Sequence, residues 1–272
     1  MPEWPEMEHY RTQLSSLLGG KRITGVVVNR EGSINEPPEA FANALANRTI
    51  LFVERRGKHL IFHLDDGNRL LLHLMLGGWM YYGTEGPKED SRFQVIIRLF
   101  DGNSLFFGGL RLGHLHRVSA KIALEQMKQL GPEPFDPRLT PEAFHKLFAG
   151  KRGRLKTALT DQKFIAGIGN CYSDEICFEA KLHPASSIPD LDAAAIDRLY
   201  DAMRKVLLEA KEAGGYMEHP LTENDNVTGG YNSRCLVYDR GGEACGVCGH
   251  EIQQETLTGR KMFYCPQCQG TA

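Results

Sequence analysis

The chain begins Met-Pro-Glu, and this start can place a reactive amine at its end. Methionine is readily removed when a small residue follows, which would leave the secondary amine of Pro2 as the terminus. An α-amino group has a pKa of about 7.7 to 8, against about 10.4 for lysine, so more of it is unprotonated at neutral pH. Such an amine can attack an aldehyde or the anomeric carbon of a sugar to give an iminium, and Glu3 beside it can move protons. Many proteins share this start without any catalytic use of it.

Four of the seven cysteines form two pairs, Cys245-x-x-Cys248 and Cys265-x-x-Cys268, with sixteen residues between the pairs. This spacing is typical of a four-cysteine zinc site, in which each pair presents two sulfurs to one tetrahedral ion. The pattern predicts one structural zinc ion, because four thiolates leave no position for water. A pair of disulfides is the alternative, which a cytosolic chain seldom forms. The remaining cysteines are interpreted as free thiols: Cys171, Cys177 and Cys235.

Lysines and arginines gather between residues 146 and 163, where six of them stand against a single aspartate. The whole chain has a net charge of −2, so any surface for a polyanion has to be local. This segment is the candidate, and a solvated basic helix face is the alternative. Its basic residues are Lys146, Lys151, Arg152, Arg154, Lys156 and Lys163. Two glycines within 167–170 then precede a predicted helix, whose first amides could bind phosphate.

The composition allows a fold that can position these residues. With 42% hydrophobic residues among 272, the chain has enough apolar side chains for a sizeable core, which excludes disorder and a disulfide-held miniprotein. The length favours about two domains. No apolar stretch reaches the roughly 20 residues of a membrane-spanning helix, and the acidic N-terminus does not resemble a secretory signal. We expect a cytoplasmic protein.

The first half of the chain is predicted to form one helix followed by sheets. Apolar residues spaced by three and four predict an amphipathic helix from Pro5 to Leu18, which Gly19-Gly20 ends. Short runs rich in Val, Ile, Leu and Phe between Arg22 and Val118, separated by turn residues, predict antiparallel sheets in a sandwich or flattened barrel.

The second half is predicted to be mainly helical. Three prolines between residues 131 and 137 indicate a linker. Helical spacing follows from Thr140 through Ala180 and again from Asp190 to Ala213. Residues 215–231 have few apolar anchors and are expected to form a long loop before the cysteine segment.

Together these motifs resemble those of the formamidopyrimidine-DNA glycosylase and endonuclease VIII family of DNA repair enzymes. The resemblance is collinear over nearly the whole chain. The segments that carry it are Pro2-Glu3-x-Pro5-Glu6, Gly57-Lys58, Leu155 to Glu175 and the cysteine pairs. It implies an α+β multi-domain fold: an antiparallel β-sandwich catalytic domain with an N-terminal helix (1–130), a helix-two-turn-helix domain with a lesion loop (131–232) and a zinc finger (233–272). DNA would bind across the cleft between the two halves.

The resemblance implies a base-excision-repair DNA glycosylase that also cleaves the strand at the abasic site. Pro2 would attack C1′ of the damaged nucleotide through a Schiff base, Glu3 would help open the sugar and relay protons, and Lys58 would contact DNA near the lesion and support catalysis. The expected lesion is an oxidised, ring-opened or alkylated base. The expected partner is damaged double-stranded DNA, bound by a monomer that is associated with the nucleoid.

Further residues match positions that hold DNA in this family. The nucleotide has to leave the duplex before its C1′ can be attacked, so phosphate contacts are needed to hold the bent backbone. The expected DNA contacts are Lys156, Asn170, Arg260 and Arg111. Glu6 matches a family acid whose role the sequence leaves open. The loop over 215–231 would cover the extruded base, and an ordinary connector is the alternative.

The residues that fill the gap left by an extruded nucleotide depart from the family pattern. The oxidised-purine enzymes have His-Leu-Gly-Met-x-Gly, whereas residues 73–78 read His-Leu-Met-Leu-Gly-Gly, with leucine in place of the wedge methionine. They also have Arg-x-Phe-Gly, whereas residues 110–113 read Leu-Arg-Leu-Gly, with leucine in place of the base-reading arginine. The expected wedge residues are Met75, Leu76 and Leu112. Trp4 replaces a leucine, and either reshapes the pocket wall beside the nucleophile or packs in the core.

Two other functions remain open at this point. A catalytically silent protein that binds damaged or unusual DNA structures would retain the finger and the helix-two-turn-helix, but it would not need Pro2, Glu3 and Lys58. A zinc-ribbon protein that binds RNA would leave the same N-terminal residues unexplained. An enzyme is the interpretation that uses all of them.

Overall fold

The structure, a computed structural model, describes residues 1–87 and 92–270, and its contacts divide the chain into two compact units. Unit 1 comprises Met1–Gln129 and Ala213–Gly230, and unit 2 comprises Leu130–Glu212 and Tyr231–Ala272. Residues 213–230 thus have their contacts in unit 1, although the lesion loop was expected within the helical domain. The bounds of the three predicted domains stay predictions.

Unit 1 is built on eight antiparallel strands in the order β5-β7-β6-β1-β2-β3-β4-β8. Strand β1 belongs to both halves, because it pairs with β2 at its first two residues and with β6 from Ile23 onward. A core of buried side chains draws on both halves, which confirms the predicted sandwich. The strands are β1 (Lys21–Val28), β2 (Thr49–Arg56), β3 (His59–Leu64), β4 (Asn68–His73), β5 (Trp79–Gly83), β6 (Phe93–Leu99), β7 (Ser104–Gly108) and β8 (His114–Ser119).

Three α-helices accompany the sandwich among the described residues of unit 1. Helix α1 (Trp4–Leu18) confirms the predicted amphipathic helix, and it packs against β2 and β3. Its buried apolar residues enter the sandwich core: Met7, Tyr10, Leu14 and Leu18. Helices α2 (Pro38–Leu45) and α3 (Ala120–Lys128) were not predicted. Helix α2 is short and lies within a strand-rich stretch, where its eight residues give too few turns for a clear helical period.

Unit 2 contains four helices before its finger: α4 (Pro141–Phe148), α5 (Leu155–Leu159), α6 (Asn170–Glu179) and α7 (Ala193–Glu212). Thr140 caps α4, as its position before Pro141 predicts, and its hydroxyl accepts from the Ala143 N–H at 3.2 Å. The helical spacing predicted through residue 180 is interrupted before α5 and again between α5 and α6. Gly153 and Gly167 have φ values of 103° and 99° there, and only glycine adopts such values readily.

The finger is a β-hairpin followed by a short helix: β9 (Gln253–Leu257), β10 (Arg260–Tyr264) and α8 (Pro266–Gln269). Thr258 and Gly259 both have positive φ, at 49° and 80°, as a two-residue hairpin turn of type I′ requires. Phe263 and Ile252 form a small core with neighbours from α6 and the preceding loop. Among the described helices, none combines the length and apolarity needed to cross a bilayer.

Candidate active site and DNA-binding residues

Two buried carboxylates mark the start of α1, directly after Pro2. Glu3 and Glu6 are each about 1% exposed. They form a reciprocal capping box: Glu3 accepts from the Glu6 N–H, and Glu6 Oε2 accepts from the Glu3 N–H at 2.7 Å. This pairing satisfies two helix-terminal N–H groups, and the positive end of the helix favours a carboxylate there. The Glu3 carboxylate is therefore held in one position beside Pro2, which is itself buried.

Glu6 has a second role, because its other oxygen holds the segment that follows α7. Its Oε1 accepts from the Tyr216 N–H at 2.9 Å. Gly215, with φ at 77°, precedes Tyr216, and a Cβ there would overlap the Glu6 carboxylate. The Tyr216 hydroxyl donates to the Met1 carbonyl at 3.2 Å. The loop and the N-terminus are thus fixed to each other within unit 1, through the acid whose role the sequence left open.

Lys58 lies in the two-residue turn that joins β2 and β3. Arg56 and His59 pair on either side of this turn. Gly57 has a φ of 55°, which suits the first position of a type II′ turn. The Lys58 side chain is only 5% exposed, so it lies within the fold rather than on its surface. Because α1 packs against both strands, the turn belongs to the same part of unit 1 as the N-terminus.

Trp4 packs in unit 1 against a buried arginine. It is 5% exposed, and the Arg55 guanidinium carbon lies 5.0 Å from the centre of its ring. Arg55 also donates to Glu8 Oε2 at 2.7 Å. Burial alone would raise the pKa of Glu8, but hydrogen bonds from Arg11 and Arg55 outweigh it and lower that pKa. Trp4 is thus buried within unit 1, in contact with Arg55.

The predicted wedge residues lie on two loops that touch each other. Met75 and Leu76 follow β4, and Leu112 lies between β7 and β8. Leu76 and Leu112 are 66% and 64% exposed, so both apolar side chains are open to solvent at the tips of their loops. A Cβ at Gly109 would overlap the carbonyl oxygen of Gly77, so the two backbones are in direct contact.

The first of these loops contains a residue with an unusual backbone conformation. Met75 has a φ of 53°, in the left-handed region that non-glycine residues seldom adopt. Such conformations persist where the surroundings impose them, and they gather at functional sites. Arg111 is exposed beside Leu112, whereas Leu110, in place of the family's base-reading arginine, is fully buried.

Lys156 is placed differently from the surface contact that its motif led us to expect. It is 2% exposed, and its ammonium is enclosed by three acceptors. These are Asp174 Oδ2 at 2.6 Å, the Lys261 carbonyl at 2.8 Å and the Asn170 carbonyl at 3.4 Å. An ammonium has three N–H donors, so all of them are used inside unit 2. The basic segment 146–163 is therefore not one continuous surface.

Asn170 and Arg260, the other two expected phosphate contacts of unit 2, lie on either side of Lys156. Asn170 is the first residue of α6, and its buried Oδ1 has no hydrogen-bond partner within the described ranges. Arg260 is exposed at the first position of β10, next to Lys261. Through the two carbonyls, Lys156 links the helix end that carries Asn170 to the strand that carries Arg260.

Two adjacent acids on α6 were not singled out in the sequence. Asp174 accepts from the Phe263 N–H at 3.1 Å as well as from Lys156. Glu175 accepts from three successive backbone N–H groups, those of Leu236, Val237 and Tyr238, at 2.8 to 2.9 Å. Burial raises the pKa of both carboxyls, and these hydrogen bonds oppose the rise. The acids attach α6 to the finger and to the segment before it.

The loop over 215–231 is anchored within unit 1 rather than free along its length. Leu221 is fully buried in the sandwich core, and its carbonyl accepts from the Tyr82 N–H at 2.6 Å. The Asp225 carboxylate accepts from Gln13 and from both the N–H and the hydroxyl of Thr228. Burial would raise the pKa of Asp225, but its hydrogen bonds outweigh that effect and hold the pKa far below its usual range. The role of this loop as a cover for an extruded base stays a prediction.

The four paired cysteines meet as the spacing predicts. Their sulfurs all lie within 4.8 Å of one another, with Cys245 and Cys268 at 3.9 Å and Cys248 and Cys265 at 3.4 Å. A tetrahedral ion with Zn–S bonds of about 2.3 Å needs sulfurs about 3.8 Å apart, so the arrangement fits zinc. Four thiolates close the coordination sphere, which makes this a structural site.

Family models account for most of the chain. Residues 1–115 match the formamidopyrimidine-DNA glycosylase N-terminal domain, and residues 130–219 match its H2TH domain. Residues 242–270 match the zinc finger found in FPG and IleRS. All three matches fall in the order that the resemblance predicts.

Whole-length relatives agree with these matches. The formamidopyrimidine-DNA glycosylase of Listeria innocua is 35% identical, with 99% of this chain and 100% of the relative covered. The MutM (FPG) structure from Thermus thermophilus is 32% identical with a TM-score of 0.87, and both chains are fully covered. Lactococcus lactis Fpg bound to DNA with an abasic site is 28% identical with a TM-score of 0.88, covering 99% of this chain and 100% of that one. The chain therefore belongs to the formamidopyrimidine-DNA glycosylase family.

Proposed function

We propose that this protein is a base-excision-repair DNA glycosylase with abasic-site lyase activity. The observation that carries the proposal is the position of Glu3: a carboxylate 1% exposed, fixed by the capping box directly after Pro2. A general acid or base needs a fixed position next to the nucleophile, and the helix cap supplies it. Family membership supports the same activity.

The reaction begins when removal of Met1 exposes the Pro2 amine. The amine attacks C1′ of the damaged nucleotide, the bond from C1′ to the base breaks, and the base leaves. Glu3 delivers a proton as the sugar ring opens to the Schiff base. The iminium then draws electrons from C2′, so loss of a C2′ proton breaks the C3′–O bond and cleaves the strand. Lys58 contacts the DNA near the lesion during these steps.

We assign the DNA contacts on grounds of exposure and position. Arg111, Asn170 and Arg260 bind phosphates, two of them from exposed sites and Asn170 from the first turn of α6, where backbone amides favour anions. Lys156 acts through Asn170 and Lys261 and is a positioning residue, because its donors are already used. These contacts supply affinity and salt dependence rather than choice of sequence.

The two touching loops support the wedge, and family membership supports the lesion class. Leu76 and Leu112 fill the space of the extruded nucleotide, together with Met75, which precedes Leu76 on the same loop. The substrate is a duplex with an oxidised, ring-opened or alkylated base, and a Lactococcus lactis relative has been solved with DNA containing Fapy-dG. We further propose, by analogy with the family, that the protein acts as a monomer on nucleoid DNA.

Borohydride trapping tests the activity directly. The protein is incubated with a duplex containing one abasic site, and reduction turns any Schiff base into a stable covalent adduct. We expect wild type to give the adduct and Pro2→Gly to give far less, because the secondary amine is lost. Pro137→Gly is the matched control, since it makes the same exchange at an exposed proline of the linker. Mass spectrometry establishes that Met1 has been removed from each protein.

The outcomes separate enzyme from binding protein. Undiminished trapping by Pro2→Gly would refute the nucleophile. A correctly processed wild type that binds the duplex but gives no adduct would favour the silent DNA-binding alternative. A panel of duplexes, each with a single damaged base, then identifies the lesion by release of the free base.

A further inference from the structure

An exposed arginine, Arg30, contacts the loop that carries Arg111 and Leu112. Arg30 follows β1 and precedes a short 3₁₀ turn, Glu31–Ser33. Its Nη1 atom donates to the Leu110 carbonyl at 3.1 Å and to the Arg111 carbonyl at 3.5 Å. The Arg30 guanidinium is therefore held at the base of a loop to which we assign both a phosphate contact and a wedge residue.

The backbone of Leu110 is fixed on both of its polar groups, so Arg30 and this loop have a defined position relative to each other. The Leu110 carbonyl also accepts from the Ser33 hydroxyl at 3.3 Å, and the Leu110 N–H donates to Gln94 Oε1 at 3.2 Å. The Gln94 carbonyl in turn accepts from the Arg30 N–H at 3.3 Å. The Leu110 side chain is fully buried in the sandwich core.

The two arginines beside this loop bring positive charge without a compensating acid. Arg30 and Arg111 are both exposed, and neither forms an ion pair within the described part of the chain. Glu31 is the acid next to Arg30 in sequence, and it is exposed without an ion pair to either arginine. An anion from outside the protein would therefore be the counter-charge of these guanidinium groups.

The Arg30 guanidinium also retains hydrogen-bond donors for such an anion. A guanidinium carries five N–H donors, of which Nη1 supplies two. The other three belong to Nε and Nη2, and within residues 1–87 and 92–270 neither atom forms a hydrogen bond. Nε and Nη2 lie on one edge of the group, and this edge fits two oxygens of one phosphate.

The position of Arg30 suits a strand that is bound at the wedge. Extrusion of a nucleotide bends the backbone, and phosphate contacts have to hold it in that shape. Because Arg30 donates to the Arg111 carbonyl itself, a strand that reaches the Arg111 guanidinium also passes within a side-chain length of Arg30.

We propose that Arg30 is a further DNA-binding residue, whose Nε and Nη2 donate to a backbone phosphate next to the one that Arg111 binds. The inference rests on the proposed function, because it adds a contact to the same bound DNA. Nη1 holds the loop at the same time, so a single guanidinium supports the wedge and binds the strand. The contact supplies affinity and salt dependence rather than choice of sequence.

An arginine that only supports the loop is the alternative, and Arg69 provides a comparison for it. The Nη1 atom of Arg69 likewise donates to two successive backbone carbonyls, at 3.0 and 2.9 Å. Arg69 lies near the start of β4, whereas the loop of Met75 and Leu76 follows the end of that strand, about 13 Å away at the usual rise per residue. Arg69→Gln therefore removes the same charge and the same kind of support at a distance from the proposed contact.

The test measures how salt affects binding to a duplex that contains a tetrahydrofuran abasic analogue. The analogue cannot form a Schiff base, so binding is measured without reaction. Fluorescence anisotropy titrations at about 50 to 200 mM KCl compare wild type with Arg30→Gln, Arg111→Gln, the double variant and Arg69→Gln. Each lost phosphate contact lowers the slope of log affinity against log salt by about 1.

We expect Arg30→Gln to bind about tenfold more weakly than wild type at the lowest salt, because it loses a hydrogen-bonded charge pair. Its slope should be lower by about 1, as should that of Arg111→Gln. The double variant should lose about 2, because the two contacts are made with different phosphates. Arg69→Gln, the matched control, should keep the wild-type slope.

Each result decides the inference. A wild-type slope for Arg30→Gln would overturn it, even if the affinity fell. So would a double variant whose slope equals that of Arg111→Gln alone, because Arg30 would then act only through Arg111. An equal reduction in Arg69→Gln would attribute the effect to net charge and would also overturn it. The proposed function fails separately: wild type that binds the analogue but is not trapped on a natural abasic site would refute the enzyme while leaving the Arg30 contact standing.

Discussion

Removing the Lys156 ammonium should damage the protein far more than removing it together with its partner. Lys156→Met leaves the Asp174 carboxylate 0% exposed and without its cation. Breaking a buried pair in this way typically costs about 3–5 kcal/mol of unfolding free energy. Lys156→Met with Asp174→Leu removes both charges, and such replacements are often neutral or stabilising by about 1–4 kcal/mol. We therefore expect the double variant to be the more stable of the two.

Stability is measured by urea unfolding followed by circular dichroism. Lys151→Met is the matched control, because Lys151 also pairs with an aspartate, Asp161 at 3.5 Å, but both side chains are more than a third exposed. Exposed pairs contribute about 1 kcal/mol or less. If Lys156→Met were no more destabilising than this control, the buried pair would not support unit 2 as we argue.

The same variants separate a positioning residue from a phosphate contact. A lysine that neutralises a phosphate lowers the slope of log affinity against log salt by about 1 when it is removed, whatever happens to its neighbours. Loss of a positioning residue instead lowers the affinity for DNA by displacing the phosphate contacts that it holds, here Asn170 and Arg260. We expect both variants to bind abasic DNA more weakly but with the wild-type salt slope, because neither keeps the ammonium that joins the Asn170 and Lys261 carbonyls. A slope reduced by about 1 in both variants would refute the reasoning.

Four further predictions follow from other parts of the structure. Glu3→Gln should keep the helix cap, because an amide oxygen also accepts a hydrogen bond, yet lower the rate of base release; an unchanged single-turnover rate would contradict the acid–base role. Leu112→Ala should change the melting temperature little, since the side chain is 64% exposed, but weaken binding to abasic DNA in anisotropy titrations. Asp225 has a lowered pKa in the fold, so its stabilisation is present above about pH 4 and is lost as the pH falls towards the folded-state pKa. Asp225→Asn should therefore be less stable than wild type at pH 7. The difference between their free energies of unfolding should become smaller when urea unfolding is repeated at successively lower pH. Chelation of zinc should loosen the finger and reduce DNA affinity, and unchanged binding by metal-free protein would exclude the finger from the binding surface.

Local patterns allowed much of this structure to be predicted. The helix at residues 4–18 repeats its apolar residues at the helical period. The spacing of the paired cysteines predicts by itself that they bind one ion. The zinc site and the α+β fold are confirmed on that basis. These features depend on residues close together in sequence, so each motif carries its own geometry.

The features that could not be predicted from the sequence depend on contacts between residues that are distant along the chain. Lys156 stands in a basic segment and resembles a surface residue, because the acid that buries it lies 18 positions away and the carbonyl that completes its shell lies 105 positions away. Glu175 is likewise explained only by N–H groups some 60 residues later. Spacing within a segment contains no information about such contacts, and neither residue could have been placed from its motif.

The contact between Gly77 and Gly109 holds together, through backbone atoms, the two loops that carry the proposed wedge. Because backbone atoms make this contact, it does not involve the side chains at positions 75, 76 and 112. For protein engineering, these three side chains can therefore be varied together in a library while the backbone contact between the loops is left intact.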